Sequence, residues 1–214
     1  MHSTFAFYQA DGIMYNSRVL TTHYLIDCCD IENWGAHSSP LGFFGYTDVD
    51  LNPISIFFWG ENYYNIAVRG ETEWSTSQKG SGIGKIEYSS IRAIDSFSDG
   101  ALVILEGDPE YTIEKWVITP SAAFKFGTGG KGDADDLLNH PRDVTVDNED
   151  YVYVLDILSN GQPRIKVFDD KLKPVKGIGD STLIPETPIS CDWDNYNNAL
   201  HILHSQGVTV IYKQ

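Results

Sequence analysis

The segment PRDVTVD, Pro141 to Asp147, alternates apolar and polar positions with the period of a β-strand entered through a proline, where the missing N–H costs no ladder bond. Placing Pro141 over Pro188 and Pro53 aligns it with PISCDWD and PISIFFW, so that Val144 coincides with Cys191 and Ile56, and Val146 with Trp193 and Phe58. These three segments read as first strands. A polar turn follows each, and then a second apolar run: YVYVLD from Tyr151, ALHILH from Ala199 and YNIAVR from Tyr64. ALVILE from Ala101 and IMYNSR from Ile13 are further second strands. The five runs start about 37 to 51 residues apart, close to the spacing of propeller repeats. Third strands follow as RIKVFD from Arg164, VTVIY from Val208 and TIEKWVIT from Thr112, and fourth strands as AAFKFG to Gly127 and KPVKGIG to Gly179.

No amphipathic helical period of useful length interrupts this series, and 19 Gly and 9 Pro supply the turns. The pattern predicts an all-β chain: a β-propeller with five blades, each a four-stranded antiparallel sheet. One domain is expected over 1–214, with blades near 1–50, 51–88, 89–127, 128–180 and 181–214. Runs such as YVYVLDIL, apolar at nearly every position, fit strands covered on both faces. The last unit lacks a fourth strand, so closure of the ring is expected from TFAFYQ, Thr4 to Gln9, or from another chain.

From Phe126 to Gly179 the chain resembles the NHL repeat, a propeller blade. The residues that carry the likeness are Phe126 and Gly127, the loop TGGKGDADDLLNH, Pro141, Val144 to Asp147, Val154 with Asp156, and Arg164, Ile165, Val167 and Phe168. The last unit keeps the pattern more loosely, with His204 where Asp156 stands, and the first three units depart from it. The resemblance implies two uses for such a scaffold, RNA binding or lyase chemistry at a central metal held by His and Glu, beside protein docking, which a rigid scaffold without catalytic residues suggests.

Composition narrows these. The formal charge is −15, from 15 basic and 30 acidic residues, and such a field repels a phosphate backbone, so no nucleic-acid partner is expected. The one basic cluster, Lys171, Lys173 and Lys176, sits in a hairpin turn. No apolar run is long enough to span a membrane and no signal peptide is visible, so no membrane partner is expected. Three cysteines, two of them the neighbours Cys28 and Cys29, make no disulfide framework. A reducing compartment or a virion is expected before a secreted setting.

The chemistry-bearing residues form no catalytic constellation. GTGGKG, Gly127 to Gly132, and GSGIGK, Gly80 to Lys85, both lack the phosphate-loop spacing. DADD, DNED and DWDN, starting at Asp133, Asp147 and Asp192, read as turns rather than calcium loops. His201 and His204 lie an odd number of positions apart on one strand and face opposite ways, and His2, His23, His37 and His140 are scattered, so no metal site is assigned. The tryptophans at 34, 59, 74, 116 and 193 could stack sugars in a lectin, but Trp59 and Trp193 fall at matching strand ends, which favours packing.

A candidate contact surface remains. Asp156 and Arg164 flank the loop ILSNGQP and are expected to face each other as a bidentate pair. Ser159, Asn160 and Gln162 in that loop, with Lys131 and His140, are the candidate partner-binding residues. The expectation is a non-catalytic module, without cofactor, that binds a protein partner or serves a larger assembly such as a virus particle, as a homo-oligomer or accessory piece. A carbohydrate-binding propeller and an NHL-like lyase with a central metal are the alternatives.

Overall fold

The computed structural model describes residues 4–8, 14–18, 42–47, 53–60, 63–68, 72–76, 80, 82, 83, 85, 90–118, 123–175, 184 and 188–213. His2, His23, His37, Cys28, Cys29 and Trp34 lie outside them. Among the described residues every named strand pairs antiparallel with its neighbours. Among the described residues no helix is long and apolar enough to cross a membrane.

The chain divides into two compact units, residues 1–79 with 119–122, and residues 80–118 with 123–214. In the first unit β1 (Thr4–Tyr8) pairs with β2 (Met14–Arg18), and β3 (Gly42–Thr47), β4 (Pro53–Gly60), β5 (Tyr63–Val68) and β6 (Thr72–Thr76) form a four-stranded meander. PISIFFWG is therefore the second strand of its sheet, not the first. Gly42–Thr47, which the proline alignment passes over, pairs along its outer side, with a register shift that admits Pro53 opposite Thr47. A proline marks where a strand can begin, but not its place in the sheet.

The second unit holds three sheets. β7 (Ile91–Ser96), β8 (Leu102–Glu106), β9 (Thr112–Ile118) and β10 (Ala123–Gly129) form one, and β11 (His140–Val146), β12 (Val152–Ile157), β13 (Pro163–Phe168) and the two-residue β14 (Pro174–Val175) form the next. The third has three strands, β15 (Pro188–Asp194), β16 (Ala199–His204) and β17 (Gly207–Tyr212). Second-strand runs, third strands and the hairpin turns between them fall where the alternation places them.

Each first strand carries the same irregularity. The register shifts between Ile91 and Ala93, between Pro141 and Asp143, and between Pro188 and Ser190. One extra residue kinks each strand and sharpens its twist. Asp95, Thr145 and Asp192 are thereby equivalent, as are Ser96, Val146 and Trp193.

Because β12 is apolar on both sides, its residues divide between two cores. Val152 and Val154 pack with Phe97, Val103, Leu105 and Ile113 of the preceding sheet, while Tyr153 and Leu155 pack with Trp193, Leu200 and Ile202 of the following one. The Tyr153 and Trp193 rings stack with centroids 5.0 Å apart. Full burial of an aliphatic side chain is worth about 1.5–3 kcal/mol, so these faces supply most of the cohesion between sheets.

Polar groups set the alignment. Asp95 Oδ2 accepts the Thr145 hydroxyl at 3.0 Å and the Val146 amide at 2.9 Å, and Thr145 Oγ1 accepts the Trp193 amide at 3.1 Å. Asp143 Oδ2 accepts the Cys191 amide at 2.8 Å. A run Asp95–Thr145–Trp193 thus crosses three sheets at their first strands. Lys213 adds a tie from the last sheet to the turn after β11, with Nζ 2.7 Å from Asp147 Oδ2 and 2.9 Å from Glu149 Oε2. Burial pulls the Lys213 pKa down, but the hydrogen bonds to Asp147 and Glu149 outweigh it and hold the ammonium above its ordinary range.

Thr145→Val keeps the shape of the buried side chain but removes both hydrogen bonds of its hydroxyl and leaves the Trp193 amide without its acceptor. Urea unfolding is expected to show a loss of about 1–3 kcal/mol, as a lower midpoint with an unchanged slope.

Candidate functional site

At one end of the sheet formed by β11 to β14, two loops meet. The first runs from Gly130 to Asn139. Its base is closed by main-chain bonds: the Gly130 amide to Tyr111 O, the Leu138 amide to Gly130 O and the Gly132 amide to Leu138 O. Leu138 is fully buried in the core shared with the preceding sheet. Gly129 requires its residue type, since a Cβ there would lie 2.5 Å from Tyr111 O and its φ is +137°. The second loop, Leu158 to Gln162, is a tight turn with the Leu158 amide on Gln162 O at 2.8 Å and Gly161 at φ +85°.

Beneath both loops lies Asp156, with no exposed surface. Its carboxylate accepts the Asn139 amide, at 3.0 and 3.2 Å, and the His140 amide at 2.9 Å, and it pairs with Lys166 Nζ at 3.2 Å. Lys166 also donates to the carbonyls of Ala134, at 2.9 Å, and Leu137. Its side chain is 2% exposed, and burial lowers its pKa against the opposing pull of Asp156.

This corrects the expected Asp156–Arg164 pair. The two residues are register partners across β12 and β13, yet Arg164 reaches past the strand end to Asp133 O at 2.9 Å, Ala134 O at 3.3 Å and Asp135 Oδ1 at 3.3 Å. Lys166 stands diagonally from Asp156 on the same face, within reach of a long side chain. Two amides and an ammonium fill the carboxylate, while the first loop lays its carbonyls beside the guanidinium. Among the predicted residues, then, Asp156 and Arg164 brace the same loop without touching each other through a salt bridge. Lys166 is the residue that sequence reasoning passed over. Its signal was a cation flanked by apolar residues within IKVF, Ile165 to Phe168, where a buried charge demands a partner.

The loops are clasped at the surface as well. Asp133 accepts the Ser159 amide at 2.9 Å and the Ser159 hydroxyl, and its Oδ1 accepts Asn139 Nδ2 at 2.9 Å. The hydroxyl and amide of Ser159 hold the Asp133 carboxyl below its ordinary value. Asn160 and Gln162 bond to each other, Nδ2 to Oε1 at 2.9 Å, and the Gln162 amide donates to Asn160 Oδ1 at 3.0 Å. Lys131 lies exposed with Nζ 5.0 Å from the Tyr111 ring centroid, and the His140 side chain is exposed while its amide is engaged. Lys131, His140, Ser159, Asn160 and Gln162 thus sit on one braced rim, with Asp156 as its foundation.

The other acidic stretches cap turns. Asp147 accepts the amides of Glu149 and Tyr151, and Asp194 those of Tyr196 and Asn197. His201 lies 3.7 Å from Asp194, and His204 is buried with Thr209 Oγ1 3.2 Å from its Nε2, so the two rings have separate surroundings. Among the described residues no three or more His, Cys, Asp or Glu side chains converge as a metal site. Trp116 and Trp193 are 1% and 3% exposed, which makes both packing residues.

Removing Asp156 leaves an uncompensated buried ammonium and two orphaned amides. Asp156→Ala is expected to cost about 3–5 kcal/mol, whereas Arg164→Ala, at a partly exposed pair, costs about 0–1 kcal/mol in global stability, both read by chemical denaturation. The Asp133 clasp has a folded pKa below the unfolded one. Its stabilisation is therefore fully present above the unfolded value, near pH 4, and is lost as pH falls through the folded value. Amide exchange at Ser159 should accelerate in that acid range before the β12 amides do.

No protein-family model matches the chain, and no curated protein matches it. Solved structures do. The Cps50 (Swd1) β-propeller domain of Myceliophteria thermophila aligns with a TM-score of 0.51 at 10% identity, over 96% of this chain and 62% of that one. A chain of the Mitotic Checkpoint Complex aligns with a TM-score of 0.54 at 10% identity, over 84% of this chain and 51% of that one. The chain thus spans between half and two thirds of the length of these proteins. At such identity the likeness speaks for fold alone, and with the series of antiparallel meanders it makes this chain a β-propeller.

Proposed function

We propose that this propeller is a non-catalytic docking module that presents the rim around residues 130–140 and 158–162 to a protein partner. The observation that carries the reading is the bracing of the polar, exposed 130–139 loop by a buried ion pair, with Asp133 of that loop clasping Ser159 of the second loop. Asp156 and Lys166 have little exposed surface of their own, and their hydrogen bonds go to the loop backbone. A buried pair is weak support for stability as such, so its use here is to fix loop conformation. A preformed loop loses less conformational entropy on binding.

The rim suits a protein surface rather than a nucleic acid. Asp135 and Asp136 are exposed beside Lys131, His140 and the amide side chains of Asn160 and Gln162, within a chain of net charge −15. Such a mixture matches a partner rich in hydrogen-bond donors and cations. The NHL-like pattern from Phe126 to Gly179 supports the same reading, because its Asp and Arg positions are the ones that anchor the loops. Service as an accessory subunit of a larger assembly follows from that role.

A variant with Lys131, Asn160 and Gln162 all changed to Ala keeps the Asp156–Lys166 and Asp133–Ser159 braces and gives up only the Asn160–Gln162 bonds within the turn. Affinity capture from the native source, read by quantitative mass spectrometry, is expected to recover a protein in stoichiometric amount with the parent chain and at least tenfold less with the variant, at equal thermal stability. Equal recovery by both would contradict the rim as the docking surface.

A further inference from the structure

The sheet of β15, β16 and β17 is one strand short of the other sheets of its unit, and among the described residues nothing pairs with the outer side of β17. The direction of its backbone groups follows from the register. The Lys213 amide donates to Asn198 O at 3.0 Å, and hydrogen-bonded pairs alternate along an antiparallel ladder. Leu200 with Ile211, Ile202 with Thr209 and His204 with Gly207 are then the bonded pairs, while Val208, Val210 and Tyr212 lie at non-bonded positions. The N–H and C=O groups of Val208, Val210 and Tyr212 point off the sheet.

Their side chains are exposed too, at 54%, 39% and 66%, beside Leu203 at 44%. Native sheets usually blunt such an edge with charge, proline or brevity. Among the last strands of the other sheets, β14 is two residues long, starts at Pro174 and follows Lys173, and the sequences of β6 and β10 include Glu73 and Lys125. β17 has none of these. From Ala199 to Tyr212 the chain holds no Asp, Glu, Lys or Arg, although 21% of all residues are charged.

We infer that β17 pairs with β17 of a second copy of this chain, antiparallel about a two-fold axis at Val210. The outward groups of Val210 then meet their own symmetry mates, and those of Val208 meet those of Tyr212, so every outward amide and carbonyl of the three residues gains a partner. Val208 and Tyr212 become a cross-strand aromatic and β-branched pair, a favourable combination. Charge selects a second copy as the occupant. Two chains of net charge −15 repel over most of their surfaces, and this charge-free edge is where they approach at least electrostatic cost. An isologous contact of this kind closes as a dimer. It uses a different surface from the loop rim and does not rest on that reading.

Light scattering on the 214-residue chain, coupled to size exclusion, tests the pairing. A mass of about twice 23.9 kDa is expected for the parent chain. Val210→Pro removes an N–H that no strand of its own sheet uses, so the fold is retained and the mass is expected to fall to that of one chain. Val210→Lys places two ammonium groups opposite each other across the axis and is expected to do the same, and it alone decides if Val210→Pro loses its circular dichroism signal. A parent chain that is monomeric at its highest soluble concentration, or a dimer that persists in either folded variant, overturns the inference.

Discussion

Sheet edges are the constraint on which this molecule depends. In the second unit, each first strand has a side with no strand beside it, and its amides need acceptors. For β11 and β15 the preceding sheet supplies them from short side chains. Asp95 takes the Val146 amide, Thr145 takes the Trp193 amide and Asp143 takes the Cys191 amide. Asp and Thr suit this task because twisted sheets diverge too quickly for a main-chain ladder, whereas a side chain one or two bonds long spans the gap. Thr145 both donates to Asp95 and accepts from Trp193, so the register of one sheet is passed to the next.

With the first strands aligned, apolar burial does the rest. The β12 residues alternate between two cores, and each sheet face meets the next. The ends of the strands are then fixed points from which loops project. The long loop before β11 gains its conformation from side chains on β12 and β13, chiefly Asp156 and Lys166, together with the bonds of its own Gly130, Gly132 and Asp133. Rigid strands carrying a braced polar rim are the arrangement that a docking surface requires.

Much of this was legible in the sequence. The period-two alternation located the second and third strands of the second unit, and turn-forming aspartates explained DNED and DWDN. The order of strands in the sheet of β3 to β6 was not legible, because GFFGYT carries two glycines and little alternation, and Pro53 suggested a first strand. At the rim, adjacency in the ladder pointed to Asp156 with Arg164. The choice of Lys166 instead depends on where a ten-residue loop lays its carbonyls, and that is a property of tertiary packing. The bridges from Asp95, Asp143 and Thr145 were equally hidden, since their partners lie about 50 positions away.

The claim that side-chain acceptors hold successive sheets in register is tested most directly by native-state hydrogen exchange at the Val146 and Trp193 amides. If the claim holds, both exchange only through global unfolding, as slowly as the amides buried within β12. Exchange of either amide through a local opening, well before β12, would contradict it.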